Sequence, residues 1–357
     1  MKRLYLHIGT HYTDSTPVQN YLYGKRDKLA KLGILYPAIA LDDSAHHQLA
    51  RATGTGSHKP DPTLLASAIE SIAQQSQAPT IHSVSLSSEE LWESRNVVML
   101  KGLADHFDTR VVMYLRRQDH YLEAAYNRHV RSYHHRFAGS IYQFALKYNF
   151  FDTLNYRLLT SRWEDVFGRK SIIVRPYGST IIRGNTCNDL LKLMDAGRLN
   201  TSKNPTGTRT CDDTSLPAAA VPYLARLNRE PLNYTQHHNV LRVLEAVIPK
   251  VHNGRLLANR ESSDFYNSFK ISNRYVWERH LNMDTDSFAH LSRPVTQEVY
   301  ISHTDIDDHL MAQVRAAAAL PAAPSQAPPE VPTHSPALKP KGGLWQRIAA
   351  SVAARAR

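Results

Sequence analysis

The stretch Leu4–Leu22, LYLHIGTHYTDSTPVQNYL, contains the pattern that decides the fold, because an apolar strand, a polar loop and a helix follow one another. Apolar side chains alternate up to Gly9, which is typical of a strand. Thr16 and Pro17 suit the N-cap and the first helical position, so a helix is predicted to begin there. The helical spacing continues to a predicted C-cap at Gly33 through Val18, Leu22, Leu29 and Leu32.

The polar loop of this stretch has the composition of an anion site. Backbone N–H groups at the start of a helix, together with the hydroxyls of Thr13, Ser15 and Thr16, are suited to bind a phosphate. The pattern G-x-x-x-x-G-K-[ST] is absent, which disfavours a P-loop kinase. Ser and Thr also cap helices without binding a ligand, so the loop by itself leaves both interpretations open.

Three further strands alternate with helical segments along the chain. They lie within the stretches HSVSLSSEELW, TRVVMYLRRQDHYLEAAYNRHVRSY and GRKSIIVRPY. This alternation predicts an α/β fold with a mostly parallel sheet covered on both faces. Ligands of such sheets bind beyond the carboxyl ends of the strands, and the candidate site residues fall at those ends.

The bulk composition restricts the class of protein. The chain has 357 residues and a formal net charge of +11, which favours acidic partners. Its two cysteines are too few for a disulfide framework, which favours a reducing compartment. No apolar run approaches the roughly 20 residues that span a bilayer, and the N-terminus turns polar too early for a signal peptide. These features predict a soluble, cytoplasmic protein.

The C-terminal part of the sequence differs in composition from the rest. The predicted organisation is an α/β domain over residues 1–283, an irregular extension over 284–314, a Pro/Ala-rich linker over 315–343 and a basic amphipathic helix over 344–357. That helix would make a weak contact with a membrane surface or a protein partner. The alternative is a solvated tail, because its apolar stripe is short.

Ordered motifs along most of the chain resemble bacterial sulfotransferase-family proteins. The opening HIGTHYTDSTPVQNYL is similar to the family loop H-I-G-T-H-K-T-G-T-T-S-I-Q. Later blocks that match the family in order are AHHQLA, SLSSEELW, VVMYLRRQDHYLEAAYNRHVR, RWEDVFGRKSIIVRPYGSTII and ISNRYVWERHL. The resemblance runs from about Lys2 to Leu281 and leaves the rest of the chain uncovered.

The resemblance implies a P-loop-kinase-like three-layer fold that binds 3'-phosphoadenosine 5'-phosphosulfate (PAPS) and transfers its sulfuryl group to a hydroxyl. It implies a nucleotide donor, a carbohydrate or related surface polymer as acceptor, and no metal. Arg116 matches the family's arginine that holds the 3'-phosphate. The residues implied to line the phosphosulfate loop are Gly9, Thr10, His11, Tyr12, Thr13, Ser15 and Thr16.

Three positions depart from the family pattern. Tyr12 replaces the loop lysine, Asp14 replaces the second loop glycine, and Ala124 replaces a serine eight residues after Arg116. Tyr12 can donate a hydrogen bond but supplies no charge, and Asp14 places an anion near a phosphate. Two functions therefore follow: a sulfotransferase, or a catalytically impaired protein with the same fold that acts as a nucleotide- or glycan-binding module.

Glu89 and His47 are the candidate bases for the acceptor hydroxyl. Burial of Glu89 is expected to raise its pKa toward that of a general base. Ser87 and Glu90 fit a capping box, so that part of the motif also has a purely structural interpretation. His47 belongs to a segment that matches the family, although a packed histidine is the more common case. The adjacent histidines have no metal-ligand spacing, so no metal site is predicted.

The segment NRHVRSYHHR places Arg128, Arg131 and Arg136 with three histidines on one predicted helix. It is either a solvated basic face or an electropositive wall for an acidic acceptor or the donor nucleotide. No nucleic-acid-binding module accompanies it, so nucleic acid is not a predicted partner.

Overall fold

The computed structural model describes residues 1–179, 181–182, 185–199, 215–248, 254–288, 299–301 and 306–319. Most of the predicted linker and all of the predicted C-terminal helix lie outside the described residues. The strands among the described residues are β1 (Lys2–His7), β2 (Ile34–Leu35), β3 (Ser83–Ser87), β4 (Phe107–Leu115), β5 (Ile172–Pro176), β6 (Gly254–Arg255) and β7 (Val299–Tyr300).

Helices account for most of the remaining described chain. The first eight are α1 (Ser15–Gly24), α2 (Arg26–Lys31), α3 (His47–Ala52), α4 (Pro62–Ser76), α5 (Gly102–His106), α6 (Gln118–Arg131), α7 (Ile141–Lys147) and α8 (Phe150–Thr153). The others are α9 (Tyr156–Phe167), α10 (Thr186–Leu193), α11 (Val221–Leu227), α12 (Tyr234–Val247), α13 (Asn259–Asn267), α14 (Lys270–Val276) and α15 (Asp308–Ala319).

The main sheet has five parallel strands in the order β2-β3-β1-β4-β5, which confirms the predicted α/β class. Alternate residues of β1 enter two hydrophobic clusters: Leu4 and Leu6 face one, and Tyr5 faces the other. The second cluster includes Val18 and Leu22 of α1 and Leu190 of α10. Because side chains alternate along a strand, helices on both sides bury the two faces of the sheet.

The first helix differs from its prediction at both ends. It begins at Ser15 with Asp14 as the N-cap residue, so the predicted N-cap at Thr16 is wrong. It ends at Gly24, and α2 begins at Arg26 after Lys25, whose φ of −112° is outside the helical range. Gly24 is a weak helix former, which allows this break. Gly33 follows α2 with φ +79°, as its predicted role at a helix end requires.

The predicted boundaries after residue 283 also need correction. Helix α15 occupies part of the extension predicted to be irregular and continues into the first residues of the predicted linker. Met311 and Val314 are buried in the main hydrophobic cluster, and α15 packs against α12. The alanines that suggested a linker are good helix formers, so the same composition supports a packed helix.

Candidate anion-binding site

The loop after β1 lies where the chain changes direction across the sheet. Strand β1 is central, with β2 and β3 on one side and β4 and β5 on the other. The loops that follow β1, β3 and β4 therefore leave the same carboxyl edge beside a topological switch point. In open α/β sheets ligands bind in the crevice at such a point.

Gly9 sets the path of this loop. Its φ is +59°, a conformation that favours glycine. A Cβ atom at Gly9 would lie 2.7 Å from Ser15 Oγ and 3.1 Å from Glu89 Cβ. The backbone therefore passes close to α1 on one side and to the segment after β3 on the other, which leaves no room for a side chain.

Tyr12 and Asp14 both adopt left-handed backbone conformations, with φ of +65° and +62°. Glycine would adopt this conformation at position 14 more readily. Aspartate is among the residues that tolerate this region. Its side chain caps no N–H group of α1. Instead it accepts a hydrogen bond from the Tyr177 hydroxyl at 3.0 Å, which draws the carboxylate toward the segment after β5.

The loop hydroxyls have different surroundings. Thr10 Oγ1 donates to the Tyr114 carbonyl at 3.0 Å, and Thr13 Oγ1 donates to the Thr10 carbonyl at 2.6 Å, so both shape the loop. Thr16 is exposed. Ser15 is buried, and its Oγ has no hydrogen-bond partner among the described residues. Ser15 is thus the hydroxyl best placed to bind an anion at the start of α1.

The structure distinguishes the two adjacent arginines after β4. Arg116 is half-buried; its Nη1 donates to the Tyr12 carbonyl at 2.7 Å, and its guanidinium lies 5.5 Å from the centre of the Tyr177 ring. Arg117 turns away and is buried in an ion pair with Asp119, with an Nε–Oδ1 distance of 2.8 Å. Arg116 is therefore the cation that faces the loop. Ala124 lies on α6 and offers no side-chain donor.

Glu89 begins a 3₁₀ helix, Glu89–Glu93, directly after β3 and Ser88. Gln19 of α1 donates to its Oε2 at 2.5 Å. Burial raises the pKa of Glu89. The nearby His11 and His47 and the hydrogen bond from Gln19 together lower this pKa by more, so the net shift is downward. The expectation of a raised pKa is therefore wrong, and Glu89 is ionised at neutral pH.

His47 begins α3, and its Nδ1 lies 2.8 Å from Ser88 Oγ and 3.7 Å from Glu90 Oε1. Glu90 also pairs with Arg51 through two hydrogen bonds, at 2.8 and 3.0 Å. These contacts fix the imidazole beside Glu89. The predicted capping box is wrong, because Ser87 belongs to β3 and Glu90 binds Arg51 instead of a backbone N–H group.

His46, in contrast, is a structural residue. It is fully buried; its Nε2 donates to the Pro37 carbonyl at 3.0 Å, and its Nδ1 accepts from the Ser87 N–H at 3.2 Å. Burial lowers the pKa of this imidazole to about 4, so it is neutral at pH 7. The two adjacent histidines thus point to different partners, as expected for neighbours at the start of a helix.

The loop residues His11 and Tyr12 contact charged and aromatic neighbours. His11 Nε2 lies 3.3 Å from Glu93 Oε1. Burial lowers the pKa of His11, but Glu93 raises it more, so the net shift is upward. The ring of Tyr12 packs edge-on against Tyr121 of α6 at 5.0 Å. Tyr12 therefore packs against an apolar neighbour, and His11 pairs with Glu93.

The arrangement combines an anion-binding helix start with two groups that can accept a proton. Sequence reasoning identified Glu89, His47 and Arg116 but missed Gln19 and Tyr177, which hold Glu89 and Asp14. Neither residue belongs to a local pattern with its partner, because the contacts join segments 70 and 163 positions apart. Only the order of the strands, which brings their carboxyl ends together, could have suggested them.

Comparisons with protein-family models, with curated proteins and with solved structures found no match to this chain. None of the helices that the structure describes combines the length and the apolar character needed to cross a membrane.

Substituting Gly9 with alanine tests the geometry of the loop. We expect Gly9→Ala to lower the free energy of unfolding by about 2–4 kcal/mol, because it adds a close contact to an unfavourable φ. Gly56→Ala is the matched control, since Gly56 has φ +62° but no heavy atom within 4 Å of a Cβ. This control should lower the free energy of unfolding only by the cost of the positive φ, about 1–2 kcal/mol. Urea denaturation measures the free energy of unfolding of both variants. An equal decrease in the two would contradict the close approach at Gly9.

The buried histidines predict a loss of stability in acid. Burial lowers the pKa of both His7 and His46 to about 4, against about 6.5 in an unfolded chain. Between these values the unfolded state binds more protons, so stability is complete above pH 6.5 and falls toward pH 4, by up to about 1.4 kcal/mol per pH unit for each residue.

Urea denaturation at pH 7, 6 and 5 measures this slope. His46→Gln should make the slope shallower, whereas the same change at His58, which is exposed, should leave it unchanged. An identical slope in the wild type and His46→Gln would show that His46 does not titrate as its burial requires.

Proposed function

We propose that this protein binds PAPS at the loop after β1 and transfers its sulfuryl group to a hydroxyl of a carbohydrate or related surface polymer in the cytoplasm. The proposal includes a P-loop-kinase-like arrangement of the three layers. One observation carries it: Gly9, Glu89 and Arg116, from three different loops, surround the start of α1 at one edge of the sheet. Such an edge is where α/β proteins bind nucleotides.

The residues present fit the anionic part of such a donor. The start of α1 carries the positive end of the helix dipole, and no acidic residue lies in its first turn. Ser15 provides a buried hydroxyl that no described residue hydrogen-bonds, and Arg116 provides a guanidinium at the end of β4. Cations and donors held in place are what stabilise a phosphate or sulfate group. The Asp14 carboxylate opposes this binding, although its bond to Tyr177 turns it away from α1.

PAPS would supply the activated sulfuryl group, and the chain would position it and accept the proton of the acceptor hydroxyl. Glu89 is ionised, and Gln19 fixes its orientation. Its lowered pKa makes it a weak base, which favours His47 as the proton acceptor. A proton on His47 Nδ1 would face Ser88 and Glu90, leaving Nε2 to accept the proton.

Titration calorimetry with adenosine 3',5'-bisphosphate tests the nucleotide site directly. We expect the wild type to bind and Arg116→Ala to bind about 10- to 150-fold more weakly, because a charge-assisted hydrogen bond contributes about 1.5–3 kcal/mol. Arg3→Ala is the matched control: it removes the same charge from the opposite, amino end of β1. No heat with the wild type, under conditions where an active sulfotransferase binds, would refute the proposed site.

A second candidate function is binding without turnover. It is favoured by the side chains of Tyr12, which packs against Tyr121, and of Asp14, which adds a negative charge. A lysine at position 12 would meet the charge that develops on the leaving phosphate, and Tyr12 cannot. Loss of such a stabilising group typically slows a reaction by about 100- to 1000-fold.

Restoring the family residues distinguishes the two functions. We expect Tyr12→Lys/Asp14→Gly to transfer radiolabelled sulfate from PAPS to a panel of glycans faster than the wild type and to bind the donor more tightly. Tyr12→Lys/Asp14→Asn is the control, since asparagine also tolerates a positive φ but lacks the charge of Asp14. An equal gain in both variants would assign the effect to charge. If the wild type turns over rapidly and both variants are slower, Tyr12 and Asp14 contribute to catalysis and this interpretation of the loop is wrong.

A further inference from the structure

We propose that a second surface, separate from the loop after β1, binds an acidic polysaccharide chain. This surface lies at the C-terminal end of α6 and continues onto α7 and α12; we refer to it as the α6 basic surface. Its partly or fully exposed basic residues are Arg128, Arg131, His134, His135, Arg136, Lys147 and His238. The inference rests on the proposed function for the role of this polymer as acceptor, but its binding is measurable on its own.

Helix α6 connects the α6 basic surface to the candidate site. Tyr121 packs against Tyr12, and Arg128 follows two helical turns later on the same side. Arg128 is exposed, and its charge acts on His11 of the loop and on His135 of the basic surface. Burial and then Arg128 lower the pKa of His135. A row of basic groups thus leads from the loop along α6.

One histidine lies beneath the α6 basic surface and not on it. His237 is fully buried, and neither ring nitrogen has a hydrogen-bond partner among the described residues. Burial, and then the charges of Arg136, His238 and Arg131, lower its pKa to about 4. The Nη atoms of Arg136 donate to the carbonyls of Leu232 and Asn228, so its guanidinium is held against the backbone. His237 is therefore neutral and closed to solvent, and an anion on this surface would meet the exposed Arg128, His134 and Lys147 instead.

The acidic residues nearby do not neutralise the positive charge of the α6 basic surface. Glu230 pairs with Arg315 at 2.6 Å, and Glu93 pairs with His11. Glu245 approaches Arg131 only to 3.5 Å, and both side chains remain partly exposed. Screened ion pairs of this kind contribute little, so an incoming polyanion could displace Glu245 at low cost.

The packing of the aromatic rings favours a polysaccharide over a nucleic acid. Tyr133 packs against Tyr234 at an interplanar angle of 84° and against His237 at 66°. The Arg136 guanidinium lies 5.9 Å from the centre of the same Tyr133 ring. Single-stranded nucleic acids bind by stacking bases on free aromatic faces. Here the rings pack edge-on against one another, so charge is the main means of recognition.

The test uses titration of the full-length protein with a heparin oligosaccharide of defined length at several salt concentrations. We expect binding that weakens with salt, and Arg128→Gln/Arg131→Gln should weaken it about tenfold, as the loss of two surface charge contacts predicts. Neutral dextran of the same length should not bind. Arg3→Gln/Arg110→Gln is the matched control, because it removes two charges at the opposite end of β1 and β4.

Three outcomes would overturn the inference. Equal weakening in the control variant would show that net charge alone attracts heparin. An oligothymidylate of equal charge that binds as tightly, through the same arginines, would assign the surface to nucleic acid. Equal weakening in Arg116→Ala would place the polymer in the loop. Retained heparin binding without any binding of adenosine 3',5'-bisphosphate would refute the proposed function and leave this surface standing.

Discussion

The close approach of the Gly9 backbone to Ser15 Oγ and to Glu89 is the constraint on which the candidate site depends. It holds the loop after β1 against both the first helix and the segment after β3. Because β1 is the central strand, the loop is also within reach of Arg116 at the end of β4. One glycine therefore brings together groups that three separate parts of the chain provide.

The distribution of charge around the loop explains how it accommodates an aspartate. Asp14 lies at the N-terminus of α1, where a carboxylate normally binds helix N–H groups. Here its bond to Tyr177, whose ring also lies beside Arg116, draws it toward the segment after β5. The start of α1 keeps its positive character, and Ser15 remains buried without a described partner. The loop thus places the Asp14 carboxylate and the buried Ser15 hydroxyl side by side at the start of one helix.

Glu89 shows how far burial alone can predict the pKa of a candidate base. Burial acts on Glu89 as expected, but the histidines and the amide around it lower its pKa more. The sequence shows that Glu89 follows a buried strand, and it cannot show that His11, His47 and Gln19 surround it. The same limit applies to Arg116 and Arg117, which are adjacent and identical in type. Only their packing separates the one that faces the loop from the one buried beside Asp119.

The sequence by itself determined the α/β class, the positions of four of the five strands of the main sheet, and the place of the candidate loop; it did not predict the two-residue strand β2. These follow from local periodicity, since alternating apolar residues and helical spacing act over a few positions. The tertiary structure decided where the first helix begins and ends, that α15 packs into the core, and which side chains meet at the site. Those features depend on contacts between distant segments, such as Gln19 with Glu89 and Tyr177 with Asp14, which arise only once the parallel strands are in order.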